Sequence, residues 1–117
     1  MSLRRIAVWC GAIFLAAAFL YAGKAKLGGA SAVQWAELFG HWGYPQSARY
    51  IVGVIEFLGG IGVLIPRCRR RASLTLVVLM VGALITHLLS AEFPRVIPPL
   101  VLGGVAFLMY RSSPRGA

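Results

Sequence analysis

Acidic side chains are what this chain has least of. Its 117 residues hold three, Glu37, Glu56 and Glu92, against 12 Lys plus Arg, for a formal net charge of +9. Charged residues of both signs together make only 13%, where an ordinary soluble domain carries about a quarter. Cysteine is scarce too: Cys10 and Cys68 stand far apart, in no C-x-x-C. That argues against a thiol–disulfide relay and gives no metal framework, so no metal site is expected. Nor is there a basic patch interleaved with aromatics on which bases could stack. The charge of +9 therefore does not point to nucleic acid.

What fills the chain instead is apolar. Hydrophobic residues make up 59%, more than so small a globule could hide, because small domains have a high surface-to-volume ratio. Lipid, not water, is the expected solvent. One domain over residues 1–117 is the natural count at this length. Four apolar runs are expected as spans, about 6–25, 48–65, 72–91 and 94–110, since about 17 to 25 residues cross a bilayer. The fourth is short, and Pro98-Pro99 must lie in its first turn or kink it. The first has the basic start and apolar core of a signal peptide. Its best cleavage candidate, Gly23-Lys24-Ala25, carries a lysine in the middle, so a retained helix is expected. The expected fold is all-α: a four-transmembrane-helix bundle with a short interfacial helix in the first outer loop.

Four spans place both termini on one side, together with the loop Pro66 to Arg71. That side carries Arg4, Arg5, Arg67, Arg69, Arg70, Arg71, Arg111 and Arg115. The other carries Lys24, Lys26, Arg49 and Arg95, partly offset by Glu37 and Glu92. The positive-inside bias then puts both termini in the cytoplasm, in a multi-pass protein of the cytoplasmic (inner) membrane. In the long outer segment, Ser31 and Gln34 have the spacing of a capping box, which predicts a helix over about 32–40 that stops at Gly40. Trp35, Phe39, Trp42 and Tyr44 are residue types that settle at headgroup depth. The segment reads as a lid.

Within the second span, Val54-Ile55-Glu56-Phe57-Leu58-Gly59-Gly60 places a carboxylate near mid-depth, about 12 Å from one end and 15 Å from the other. An ionised carboxylate there costs about 2.5 to 3.5 kcal/mol, so Glu56 must face the interior, protonated or paired. Arg49, Gly53, Glu56 and Gly60 share its stripe by helical spacing. Gly53, Gly59 and Gly60 either pack helices closely or form a wall for a flat ligand. His87 lies roughly 7 Å inside the third span and within about 4 to 9 Å of Glu56 in depth. A direct hydrogen bond, a bridging water or a ligand would each fit. Lys24 and Lys26 point nearly oppositely at the end of the first span, so one can turn inward while the other snorkels. A Glu, a His and a Lys converging could hold a quinone-like head group, or could form a closed network that sets helix register.

Several short motifs, taken in order, resemble the DoxX family of small four-helix membrane proteins and its DoxX-like branches. They are Gly23-x-x-Lys26-Leu27, Gly43-Tyr44-Pro45, Glu56-x-x-Gly59-Gly60, Ile65-Pro66-Arg67 and Thr86-His87. The resemblance runs from about Ile6 to Tyr110, and it puts Lys26 rather than Lys24 on the family's lysine position. It implies the four-helix fold and an association with membrane redox systems. One relative is a subunit of a thiosulfate:quinone oxidoreductase, and other members act as assembly factors. No fused catalytic domain is expected from these residues. The expectation is therefore a non-catalytic accessory subunit of a quinone-linked system, with a quinone as candidate cofactor. The alternative is a scaffold whose Glu56, His87 and Lys26 are structural. Proton-coupled transport is a third reading. Expected partners are the bilayer and either a redox-complex subunit or further copies of the chain.

Overall fold

The computed structural model describes residues 2–113, and Arg115 lies outside them. The described residues are helical throughout, with no strand: α1 Leu3–Leu27, α2 Ala30–His41, α3 Gln46–Leu64, α4 Arg69–Leu89, a single 3-10 turn Phe93–Val96, and α5 Ile97–Ser112. Four helical segments are long and apolar enough to cross a membrane: α1, α3, α4, and the 3-10 turn continued into α5. They form a ring in which α1 packs on α3, α3 on α4, α4 on α5, and α5 back on α1. The long axis measures 46 Å, close to the roughly 40–45 Å of a bilayer with its headgroups. Large apolar side chains such as Ile51, Leu58, Val78, Ile85 and Val101 are exposed around the ring. A water-soluble monomer would not show such a belt. This is a four-helix membrane bundle.

Helix ends follow from local chemistry. Ser2 caps α1 by accepting from the Arg5 N–H at 3.2 Å, satisfying one of the free donors of the first turn. At the C-termini, where carbonyls lack partners and the dipole favours cations, arginines do the work. Arg49 Nη1 donates to the Lys26 carbonyl of α1, and Arg69 Nε donates to the Val63 carbonyl of α3 at 2.7 Å. On α5, Arg70 reaches the Tyr110 carbonyl at 3.3 Å and Arg4 the Ser112 carbonyl at 3.3 Å. Much of the arginine surplus is therefore structural.

Three sequence expectations need correction. Ser31 does not cap α2. Gly29, at φ 81°, occupies the N-cap, and Ser31 Oγ donates to the Ala25 carbonyl at 3.1 Å. A glycine that can hold positive φ lets the chain reverse directly into α2, so the helix starts two residues earlier than expected. The loop between α3 and α4 is also shorter, because Arg69, Arg70 and Arg71 form the first turn of α4. Finally, the fourth span is not one uniform helix: Phe93–Val96 is a 3-10 turn, and Pro98-Pro99 sit in the first turn of α5, where their missing N–H groups cost nothing.

The end of the bundle that carries both helix termini is packed solid by Leu15, Phe19, Val63, Leu76, Ala106 and Met109. The opposite end is hollow and is covered by α2. That asymmetry positions the site.

Candidate functional site

The site is built on a close crossing of α1 and α3. A Cβ added at Gly23 would lie 2.6 Å from the Gly53 carbonyl oxygen and 2.8 Å from the Phe57 nitrogen, so here backbone meets backbone. Between helices in lipid there is little hydrophobic drive, and small residues that admit close packing take its place. Gly60 continues the contact against Ala16 and Leu20, while Gly59 packs against Leu76 of α4. Gly53, Gly59 and Gly60 are therefore helix-packing residues, and none lines the cavity described below.

The crossing brings together a lysine and a glutamate. Lys26 Nζ lies 2.6 Å from Glu56 Oε1, with the side chains 8% and 4% exposed. Both charges are thus shielded from water and answer each other directly. On its other side the Lys26 ammonium sits 4.0 Å from the centroid of Trp35, a cation–π contact from α2. Arg49, one of the stripe residues, is buried and holds the Lys26 carbonyl. Lys24 is exposed on the opposite face of α1. Of the two lysines, only Lys26 enters the site.

Above this pair lies a cavity of about 1060 Å³. Lys26 and Glu56 line it with Val52 and Ile55 of α3, Leu79, Met80 and Ala83 of α4, and Pro99 and Leu102 of α5. All four expected lid residues, Trp35, Phe39, Trp42 and Tyr44, line it as well. Their rings pack on one another: Phe39 has its centroid 5.3 Å from Trp42 and 5.9 Å from Tyr44. The walls are apolar and the polar atoms are few, the usual constitution of a small-molecule pocket.

His87 lines the same cavity but does not bond Glu56, contrary to one of the geometries expected. Its Nδ1 donates instead to Glu92 Oε1 at 3.1 Å. The same oxygen accepts from Trp42 Nε1 at 2.9 Å, and Arg95 Nη1 stands 3.9 Å from Glu92 Oε2. Tyr44 and Thr86 hydroxyls meet at 2.7 Å. These bonds latch the lid to the far end of α4. The reason His87 turns away is local: Glu92 follows five residues later, just past the helix end, within reach of the ring, whereas Glu56 is already neutralised by Lys26.

Sequence reading missed Glu92 as a member of the site and counted it only as surface charge. The available signal was its position five residues after His87 at a helix terminus. It also treated Gly23 only as part of a motif, since nothing in one dimension shows that its missing side chain admits α3.

Residues 11–109 match the DoxX-like family. The chain belongs to that family. No curated protein and no solved structure matches it. In this DoxX-like protein the motif residues fall into two groups. Gly23, Lys26, Glu56 and Gly60 build the α1–α3 crossing and its ion pair, and Gly59 packs α3 on α4. Tyr44, Thr86 and His87 build the lid latch.

Hydrogen bonds from His87, and further ones from Trp42 with the charge of Arg95, outweigh burial and hold the Glu92 carboxyl below its ordinary 4.5. A carboxyl depressed in the folded state contributes stability that is complete above its unfolded value and is lost as pH falls through the folded one. The melting temperature of wild type should therefore exceed that of Glu92→Gln by a constant margin above about pH 5. The margin should shrink as pH falls below 4.5. A margin that is independent of pH from 7 to 3 would mean that the latch does not depend on the Glu92 charge.

Proposed function

We propose that this DoxX-like membrane protein is a non-catalytic accessory subunit of a quinone-linked membrane redox system, and that its cavity holds a quinone-type head group. The observation that carries the reading is a large, apolar, lidded cavity with a buried ion pair at its floor. The Lys26 ammonium can donate to a carbonyl oxygen, and Glu56, with Oε1 held by Lys26, can accept from a hydroxyl through Oε2 or hold a proton. With Nδ1 of His87 engaged by Glu92, Nε2 is the ring nitrogen left to hydrogen-bond the head group. Seven arginines among the described residues lie at the end with both termini, which supports an orientation with that end in the cytoplasm.

A second reading has its own observation. Lys26 and Glu56 are already in contact, as in a scaffold where the pair only fixes the register of α1 on α3. Titrating purified protein with a short, soluble quinone analogue separates the two, with Glu56→Gln compared and thermal unfolding run alongside. Saturable binding that weakens about tenfold or more in a still-folded Glu56→Gln is expected, the loss of one charge-assisted hydrogen bond. No saturable binding by a folded wild type would leave the scaffold.

A further inference from the structure

The α3–α4 pair is shaped as a wedge. Beside its tight turn the helices touch: a Cβ at Gly62 would come 2.8 Å from that of Ala72, and one at Gly59 2.7 Å from Leu76 Cδ2. Farther along α4 the contact ends, and a Cβ at Gly82 would meet nothing within 4 Å. The cavity occupies the opening. Its wall runs from buried Glu56 past Ile55 and Gly82 to Val78 and Leu74, which are 65% and 44% exposed on the lipid-facing surface of α4. At the lid end the wedge is closed by the Tyr44–Thr86 bond and the aromatic cluster of α2. The narrow end is closed by helix contact. What remains open is the side.

From this geometry we infer that the ligand is a membrane-resident amphiphile with an apolar tail, which reaches the cavity sideways from the bilayer and leaves its tail in the α3–α4 crevice. This rests on reading the cavity as a ligand pocket and adds the class of molecule and its route. The volume supports it. A cavity of about 1060 Å³ stands at the upper end of the roughly 300–1,000 Å³ of small-molecule sites, room for a head group with the first part of a chain. The exposed rim residues Leu74 and Val78 are apolar and the hydroxyl of Thr75 between them is spent on the Arg71 carbonyl, whereas the charged groups stand at Lys26–Glu56 and at the lid. A head-inward, tail-outward pose follows. A water-soluble ligand would instead have to displace the latched α2.

The test uses the full chain in nanodiscs with two probes: a tail-less benzoquinone, and a quinone bearing a photoreactive alkyl tail. Labelling by the tail should map to Leu74–Gly82 of α4 and Val52–Ile55 of α3, and should be competed by excess unlabelled quinone with a tail. Val78→Trp should weaken the tailed probe roughly tenfold, the equivalent of about two methylenes lost from burial, while the tail-less quinone binds as before. Binding of the tail-less quinone with labelling confined to α2, or spread evenly over the lipid-facing surface, would overturn the lateral route and leave the pocket. Competed crevice labelling that is unchanged in Glu56→Gln, with no binding of the tail-less quinone, would keep the tail route and overturn the quinone head-group reading.

Discussion

Glu56→Ala is expected to destabilise the bundle by about 3 to 5 kcal/mol, the cost of leaving the other member of a buried ion pair without its counter-charge. The stranded group would be Lys26, whose side chain is 8% exposed and would keep only the Trp35 ring. A cation–π contact returns about 2 kcal/mol or somewhat more when desolvated, and the wild type already has it, so it does not offset the loss. Lys26→Met should cost a similar amount by stranding Glu56. The double replacement Lys26→Met with Glu56→Met should recover most of the loss, because two apolar side chains of similar volume remove both charges at once. Unfolding in detergent of the wild type, the two single variants and the double gives the coupling directly. Single-variant costs below about 1 kcal/mol would mean that water reaches the pair as it would at a surface.

The second large effect is expected at Gly23. Its neighbours at 2.6 and 2.8 Å are the Gly53 carbonyl oxygen and the Phe57 nitrogen, backbone atoms that no rotamer change can move. Even Gly23→Ala must therefore push α1 and α3 apart. Overpacking costs typically about 1 to 3 kcal/mol, and a backbone clash belongs at the upper end. The damage should spread, because Lys26 lies less than one turn beyond Gly23 and would be carried away from Glu56. Gly40 of α2 is the control, since an added Cβ there meets nothing within 4 Å. Gly40→Ala should be neutral or should stabilise by up to about 1 kcal/mol, from helix propensity alone. Melting temperatures shifted in the same direction by both substitutions would contradict the close crossing.

The two predictions draw on different kinds of legibility. Glu56 could be singled out from the sequence because the cost of a bare carboxylate among apolar residues does not depend on the fold, and that cost alone requires a partner. Gly23 could not, because its importance lies in what approaches it. The lid residues Trp35, Phe39, Trp42 and Tyr44 were visible by chemical type, but the start of their helix was misplaced. Ser31 and Gln34 have the right spacing for a cap, and only the backbone reversal at Gly28-Gly29 shows that the helix has already begun. His87 shows the same limit. Its depth allowed a bond to Glu56, and depth is all that helical rise provides. Which way the ring points depends on the rotation of α4 and on Glu92 being close by.

Composition and periodicity alone were enough to settle the solvent, the number of spans, the need for a partner at Glu56 and the stripe on which Arg49, Gly53 and Gly60 stand beside it. These follow from transfer free energies and from the 3.6-residue period, which act along one helix at a time. It took the packed fold to show that Lys26 reaches Glu56, that His87 belongs to the lid latch, and that α3 and α4 part beyond Gly59 and Leu76. Those outcomes depend on how far apart two helix backbones lie and how each is rotated about its axis. Both are set by contacts between residues distant in sequence, such as Gly23 with Gly53 and Gly62 with Ala72.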